Sequence, residues 1–260
     1  MRRKKIAGNI IFFIGLLLLW QLFYTASCDW FAWAKPYAIP NPRGVFRCFL
    51  NMLSNGTLIS AVYKSLLRVL TGFCLSVLLG VLLGICIVHS SFLAQNLKPL
   101  ILGIQTLPSI CWVPFAVLWF GLSESAILFV VVMGSAFGIA LSIESCVKNV
   151  PPLYIKAAKT MGVNSYSMYR DVIFPAALPT FISGLKQGWS FAWRALMSGE
   201  VMSASMGLGY ALMTGRDLAD INQVMTIMLI IVLIGILIDK GVFAQAEKYV
   251  LKKREGIASI

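Results

Sequence analysis

Long apolar runs separated by short polar stretches dominate this chain. Six runs approach the roughly 20 residues that an α-helix needs to cross a bilayer: Ala7–Ser27, Leu70–Val88, Ile101–Leu122, Ala126–Cys146, Phe181–Met202 and Val224–Phe243. No stretch alternates apolar and polar residues with a period of two, which excludes a transmembrane barrel. The pattern predicts an all-α integral membrane protein of six transmembrane helices, with no soluble domain of any size. Gly80 and Gly84, Gly134 and Gly138, and Gly184 and Gly188 each place two glycines on one helical face, the spacing through which helices in lipid pack closely. The third run carries Pro108 and Pro114 on either side of Trp112. A proline removes a backbone donor and crowds the preceding turn, so this helix is expected to bend or break near mid-membrane. Either the break is a packing adjustment or it lines a pathway, because irregular backbone at that depth needs protein or a water-filled cavity around it.

Composition agrees with the pattern. Hydrophobic residues make up 59% and charged ones 12%, against roughly 45–50% and 25% in soluble domains. The net charge of +12 needs no nucleic acid, since orientation signals and anionic headgroups account for it. Basic residues cluster at Arg2–Lys5, at Lys148, Lys156, Lys159 and Arg170, and at Lys248, Lys252, Lys253 and Arg254. An even number of spans places all three clusters on one side, the cytoplasm by the positive-inside rule, although Lys35, Arg43, Arg47 and Lys64 lie opposite. Thr25-Ala-Ser-Cys28 faintly resembles a lipoprotein cleavage site, but five further spans favour a retained anchor. The six cysteines show no C-x-x-C spacing, so no zinc site or redox pair is indicated. Cys28 and Cys48 are both expected outside, where pairing is open. His89 reads as an interfacial residue at the inner end of the second span.

Arg194 is the costliest residue to place. Counted from Thr180, it lies about 21 Å into the fifth span at 1.5 Å per residue, and an intramembrane Arg must face the bundle interior or water. Glu200 is its nearest carboxylate in sequence, but six residues on it points about 120° away on a regular helix. Two readings stand: a structural pair with Glu200 through a distorted helix, or an anion-attracting position on a translocation pathway. Lys186 is expected to snorkel.

Between the fourth and fifth spans runs a polar loop. Val150-Pro-Pro152 halts the preceding helix, Leu153–Met161 can form a short helix with Ala157 and Ala158 as close-contact points, and Gly162 suits a left-handed turn after it. Tyr166, Met168, Tyr169, Val172 and Ile173 form a second helical stretch before Pro175 and Pro179. On physics alone this is either a docking surface or a helix pair lying on the membrane.

The loop resembles the cytoplasmic coupling motif of ABC-importer permeases: Glu-Ala-Ala, three residues, Gly, nine residues, Ile-x-Leu-Pro. Ala157, Ala158, Gly162 and Pro175 match at that spacing, Val172 and Phe174 stand at the aliphatic positions, and Lys156 reverses the charge of the motif's Glu. Ser65–Gly72, Leu107–Pro114, Leu118–Gly121, Pro175–Pro179, Ala192-Trp193, Glu200 and Gly207-Leu-Gly209 are similar to the nitrate/sulfonate/taurine branch. The resemblance implies a five-helix type I importer core plus one N-terminal helix. It divides the chain into an anchor helix and external segment (1–64), a permease core (65–247) with its coupling loop (148–178), and a basic cytoplasmic tail (248–260). It implies a bacterial inner-membrane protein with both termini cytoplasmic. Its partners would be a cytoplasmic ABC ATPase dimer, an external solute-binding protein, a second permease copy and membrane lipid. On this reading Lys156, Ala157, Ala158, Gly162, Val172 and Pro175 serve ATPase coupling, and Pro108, Trp112, Pro114, Arg194 and Glu200 belong to the pathway. The cargo is expected to be a small anion, with a heterocyclic vitamin precursor as the alternative.

No G-x-x-x-x-G-K-[ST] loop occurs, so nothing here cradles ATP phosphates and no cofactor is expected. No catalytic constellation or metal-ligand cluster appears either. An ion-coupled secondary transporter is the competing class, but internal repeats and mid-span carboxylates are missing from the sequence.

Overall fold

A computed structural model describes residues 2–30, 33, 35, 38–203 and 205–258. In chain order the helices are α1 (Arg2–Thr25), α2 (Pro42–Ser54), α3 (Thr57–His89), α4 (Ser91–Gln105), α5 (Val113–Phe120), α6 (Glu124–Lys148), α7 (Pro152–Thr160), α8 (Ser165–Ser167), α9 (Phe174–Val201), α10 (Leu208–Asp217), α11 (Ile221–Ile238) and α12 (Ala244–Ala258). π-helical turns at Ala26–Trp30, Met168–Ile173 and Asp239–Phe243 extend α1, join α8 to α9 and join α11 to α12. No strand occurs among the described residues. The side chains of Arg2–Lys5, Lys253 and Arg254, used above for orientation, lie outside the described set.

Local chemistry sets the boundaries. Side chains of Asn41, Ser90 and Ser123 accept from backbone N–H groups of α2, α4 and α6, satisfying donors that a helix start leaves open. The Asp220 carboxylate does the same for Asn222 and Gln223 at the start of α11. Gly56, at φ 71°, makes the left-handed turn between α2 and α3, which a Cβ would strain.

Among the described residues four segments are long and apolar enough to cross a membrane: 11–28, 57–89, 124–148 and 221–250. A fifth forms if Ser91–Gln105 and Ser109–Phe120, bent by 100° at the break, count as one broken span. The break lies at Thr106–Pro108, followed by a 3-10 turn at Ser109–Trp112. Pro114 disrupts nothing. It sits in the first turn of α5, where its missing N–H has no partner to lose. The fifth expected span, Phe181–Met202, coincides with the C-terminal part of the 28-residue α9 and its C-cap, which has the length but not the hydropathy of the others. It also starts earlier, at Phe174, with Pro175 in its first turn and Pro179 inside it.

The chain divides into two compact units. The first comprises Met1–Tyr63 and Met206–Val232. Here α2 rests on α11: the Asn41 N–H donates to Asn222 Oδ1 at 3.0 Å and Thr226 Oγ1 donates to the Val45 carbonyl at 3.1 Å. Trp20 Nε1 donates to the Pro40 carbonyl at 3.0 Å. Cys28 and Cys48 are free thiols.

The second unit comprises Lys64–Ser205 and Leu233–Ile260, with α6 at its centre. Gly72, Ser76, Gly80 and Gly84 form a four-residue repeat on α3 facing a matching repeat of Val131, Ser135, Ile139 and Ile143 on α6. A Cβ on Gly72, Gly80 or Gly84 would lie 2.6, 2.7 or 2.5 Å from the facing side chain, and Ser135 Oγ donates to Ser76 Oγ at 2.8 Å. Gly134 abuts Ala195 of α9, while Gly184 and Gly188 abut Ser142 and Ile139. All three glycine pairs noted in the sequence therefore mark helix contacts, as small residues do where backbones approach in lipid.

Candidate functional site

Where α3 and α9 meet the start of α6, a charge cluster is buried. Ser65 and Arg68 lie one turn apart on α3, and both reach Glu200 at 2.8 Å. The same guanidinium forms a forked pair with Glu124 in the first turn of α6. The expected Arg194–Glu200 pair is thus absent. Glu200 points to α3, and its offset of about 120° on a regular α9 keeps it apart from Arg194. The sequence contained a signal for the true partner: Ser65 and Arg68 share one helical face, and an arginine inside a span requires a carboxylate or water.

Arg194 instead lies on the exposed side of α9. Its Nε donates to the Ser190 carbonyl at 3.1 Å, and its guanidinium carbon stands 5.1 Å from the Phe191 ring centroid. Among the described residues no carboxylate lies within ion-pair distance of it. One turn further along α9, Ser198 Oγ lies 3.2 Å from Ser109 Oγ of the broken segment, so Arg194 stands next to the break. Phe191 and the Gln105 amide flank Gly138 on the same side. Pro108 and Pro114 are exposed, and Trp112 is half-buried against Phe115 and Phe129. The remaining core charges are compensated. Lys186, expected to snorkel, pairs with Asp239 at 3.0 Å, while buried Glu144 is held by Lys98 and Lys148 at 2.8 and 2.7 Å. Among the described residues no group of His, Cys, Asp or Glu is placed to hold a metal ion.

The polar loop folds as α7, a tight turn and a π-helical turn that runs straight into α9. At the turn, Gly162 has φ 75°. The N–H of Val163 donates to Ala158 and that of Gly162 to Lys159, both at 3.1 Å, the closing pattern of a helix that ends in a left-handed glycine. Lys156 and Ala157 are exposed, as are the neighbouring Leu153 and Met161. Ala158, expected beside Ala157 on a docking surface, is buried within the chain. Val172 is half-buried and Pro175 exposed. The second helical stretch is a π-helical turn continuous with α9, not a separate helix.

Residues 76–246 match the family model described as "Binding-protein-dependent transport system inner membrane component". The chain belongs to this family. A putative ABC transporter permease protein of Methanocaldococcus jannaschii, MJ0413, is 32% identical over 83% of this chain and 82% of the relative. The putative aliphatic sulfonates transport permease SsuC of Escherichia coli is 28% identical over 87% and 84%. A solved structure of inward-facing conformations of the MetNI methionine ABC transporter superposes with a TM-score of 0.64 at 18% identity, covering 75% of this chain and 96% of that one. The likeness establishes the type I permease fold. The protein is therefore a multi-pass permease subunit of an ABC importer, a transport component and not an enzyme.

Proposed function

We propose that this permease passes a small anionic solute, such as an organosulfonate, nitrate or taurine, from an external binding protein to the cytoplasm. ATP hydrolysis by a cytoplasmic ATPase pair drives the step. Two permease copies embedded in the inner membrane form the pathway, with both termini on the cytoplasmic side. The segment 148–178 docks the ATPases through the exposed face of α7, with Lys156 and Ala157 at the contact. Gly162, Val172 and Pro175 fix the angle at which α7 leaves α9.

Arg194 carries the reading of the cargo. An uncompensated guanidinium inside a membrane segment is costly, at least about 2.5 kcal/mol at the bilayer centre. The carboxylates of Glu124, Glu200, Glu144 and Asp239 are already committed to Arg68, Lys98, Lys148 and Lys186. A position beside the broken segment, with Ser109 and Ser198 as neutral hydrogen-bonding groups, suits a site that an anion visits and leaves. The sulfonate name of a relative that aligns along most of the chain points the same way.

The test is uptake of radiolabelled taurine and of an alkanesulfonate by the assembled transporter, comparing wild type with Arg194→Gln and Arg194→Lys. The neutral variant should lose most uptake while Lys retains a substantial part, with assembly unchanged in both. Equal uptake rate and affinity in Arg194→Gln and wild type would remove Arg194 from the pathway.

A further inference from the structure

A cavity of about 570 Å3 opens in the second unit where α3, α6, the π-helical turn and α9 meet. Val81, Ile85 and Val88 of α3 form one wall, and Ile143 and Phe181 stand among the residues of the others. The lining residues with polar tips are His89, the last residue of α3, Tyr166 of α8, and Tyr169 and Arg170 of the π-helical turn. From Val81 to His89 the wall runs about 12 Å along the helix axis, close to the roughly 15 Å depth of one leaflet's hydrocarbon. Ile85 is also half exposed, in line with exposed Leu78 and Leu82, so the cavity borders the exposed apolar flank of α3. A space lined almost wholly by apolar surface, with the exposed Arg170 among its lining residues, fits an amphiphile. A water-soluble partner would have to enter the hydrocarbon layer to fill it.

We propose that this cavity holds one acyl chain of an anionic phospholipid of the cytoplasmic leaflet, with the phosphate at Arg170 and His89. The proposal rests on the cytoplasmic placement of α7 and the π-helical turn argued above. Charge favours an anionic headgroup: between Pro152 and Ile173 the chain carries Lys156, Lys159 and Arg170 against Asp171 alone. Asp171 competes weakly, its carboxylate 3.7 Å from Arg170 with both side chains exposed. The bound lipid completes the wall behind the coupling segment, so coupling would depend on headgroup as well as on protein.

The experiment is native mass spectrometry of the permease after exchange into mixed micelles of phosphatidylglycerol and phosphatidylcholine at 1:3. Wild type should retain phosphatidylglycerol selectively. Arg170→Gln should weaken that retention roughly fivefold, the effect of one basic residue at an anionic surface. Ile85→Trp, which fills the cavity, should abolish it, and Leu78→Trp on the open flank should leave it unchanged. Equal retention of the two lipids, or wild-type retention in both cavity variants, would overturn the proposal. So would loss of the lipid when ATPase subunits are added, since they would then own the cavity. An Ala157→Asp permease that no longer binds ATPase yet keeps its lipid separates this site from the coupling reading.

Discussion

Arg68 joins two carboxylates of very different standing, and that difference fixes what its removal should cost. Glu200 is 0% exposed and Arg68 5%, whereas Glu124 is 58% exposed. Arg68→Met takes the guanidinium from a carboxylate that has no route to water. Breaking such a buried pair from one side costs about 3–5 kcal/mol, roughly a hundred- to several-thousand-fold in the folding equilibrium. Glu124→Gln removes a partner from the half of the cluster that reaches solvent, where ion pairs are worth about 0–1 kcal/mol. The double variant Arg68→Met/Glu200→Leu replaces the buried pair by apolar groups of similar size, and should recover most of the loss of Arg68→Met. Reversible unfolding in mixed detergent–SDS micelles, followed by tryptophan fluorescence, reads all three. If Glu124→Gln destabilised as much as Arg68→Met, or if the double variant were less stable than Arg68→Met, burial of Glu200 would not be what makes the cluster expensive.

Two further outcomes follow from the same reasoning. Ala157→Asp should abolish co-purification of the ATPase while the permease elutes as a folded species. Ala158→Asp should lower expression and thermal stability instead, because it places a carboxylate where the side chain is shut off from water; the reverse pattern on size exclusion would place the docking face on the other side of α7. Cys48 lies on α2, where burial pushes its thiol above the ordinary value, with the nearby Thr226 hydroxyl acting against this and Asp220 adding to it. A raised thiol is less ionised at neutral pH, and the thiolate is the reactive form. In a variant keeping Cys48 as its single cysteine, maleimide labelling at neutral pH should be slower than for an exposed thiol, with a rate still climbing above pH 9.

Taken alone, the amino-acid pattern determined the class of this protein, the stretches of chain that its long apolar helices occupy, and the turn at Gly162. Apolar run length, proline and glycine act locally, so each can be read from its own neighbourhood. The glycine pairs likewise announced helix contacts, because a missing side chain matters only where another backbone comes close. The tertiary structure decided which surface each contact served. Gly80 and Gly84 belong to a longer repeat with Gly72 and Ser76, visible as such only once α6 lies against it. It also decided the pairing of charges: Glu200 took Arg68, 132 residues away, over Arg194 on its own helix. A helix holds its own side chains at fixed angles, so partners across a bundle depend on rotation and packing that no local pattern encodes. The same rotation left Ala157 exposed and buried Ala158. Adjacent residues on a helix face directions about 100° apart at 3.6 residues per turn, and only the packing of α7 chose between them.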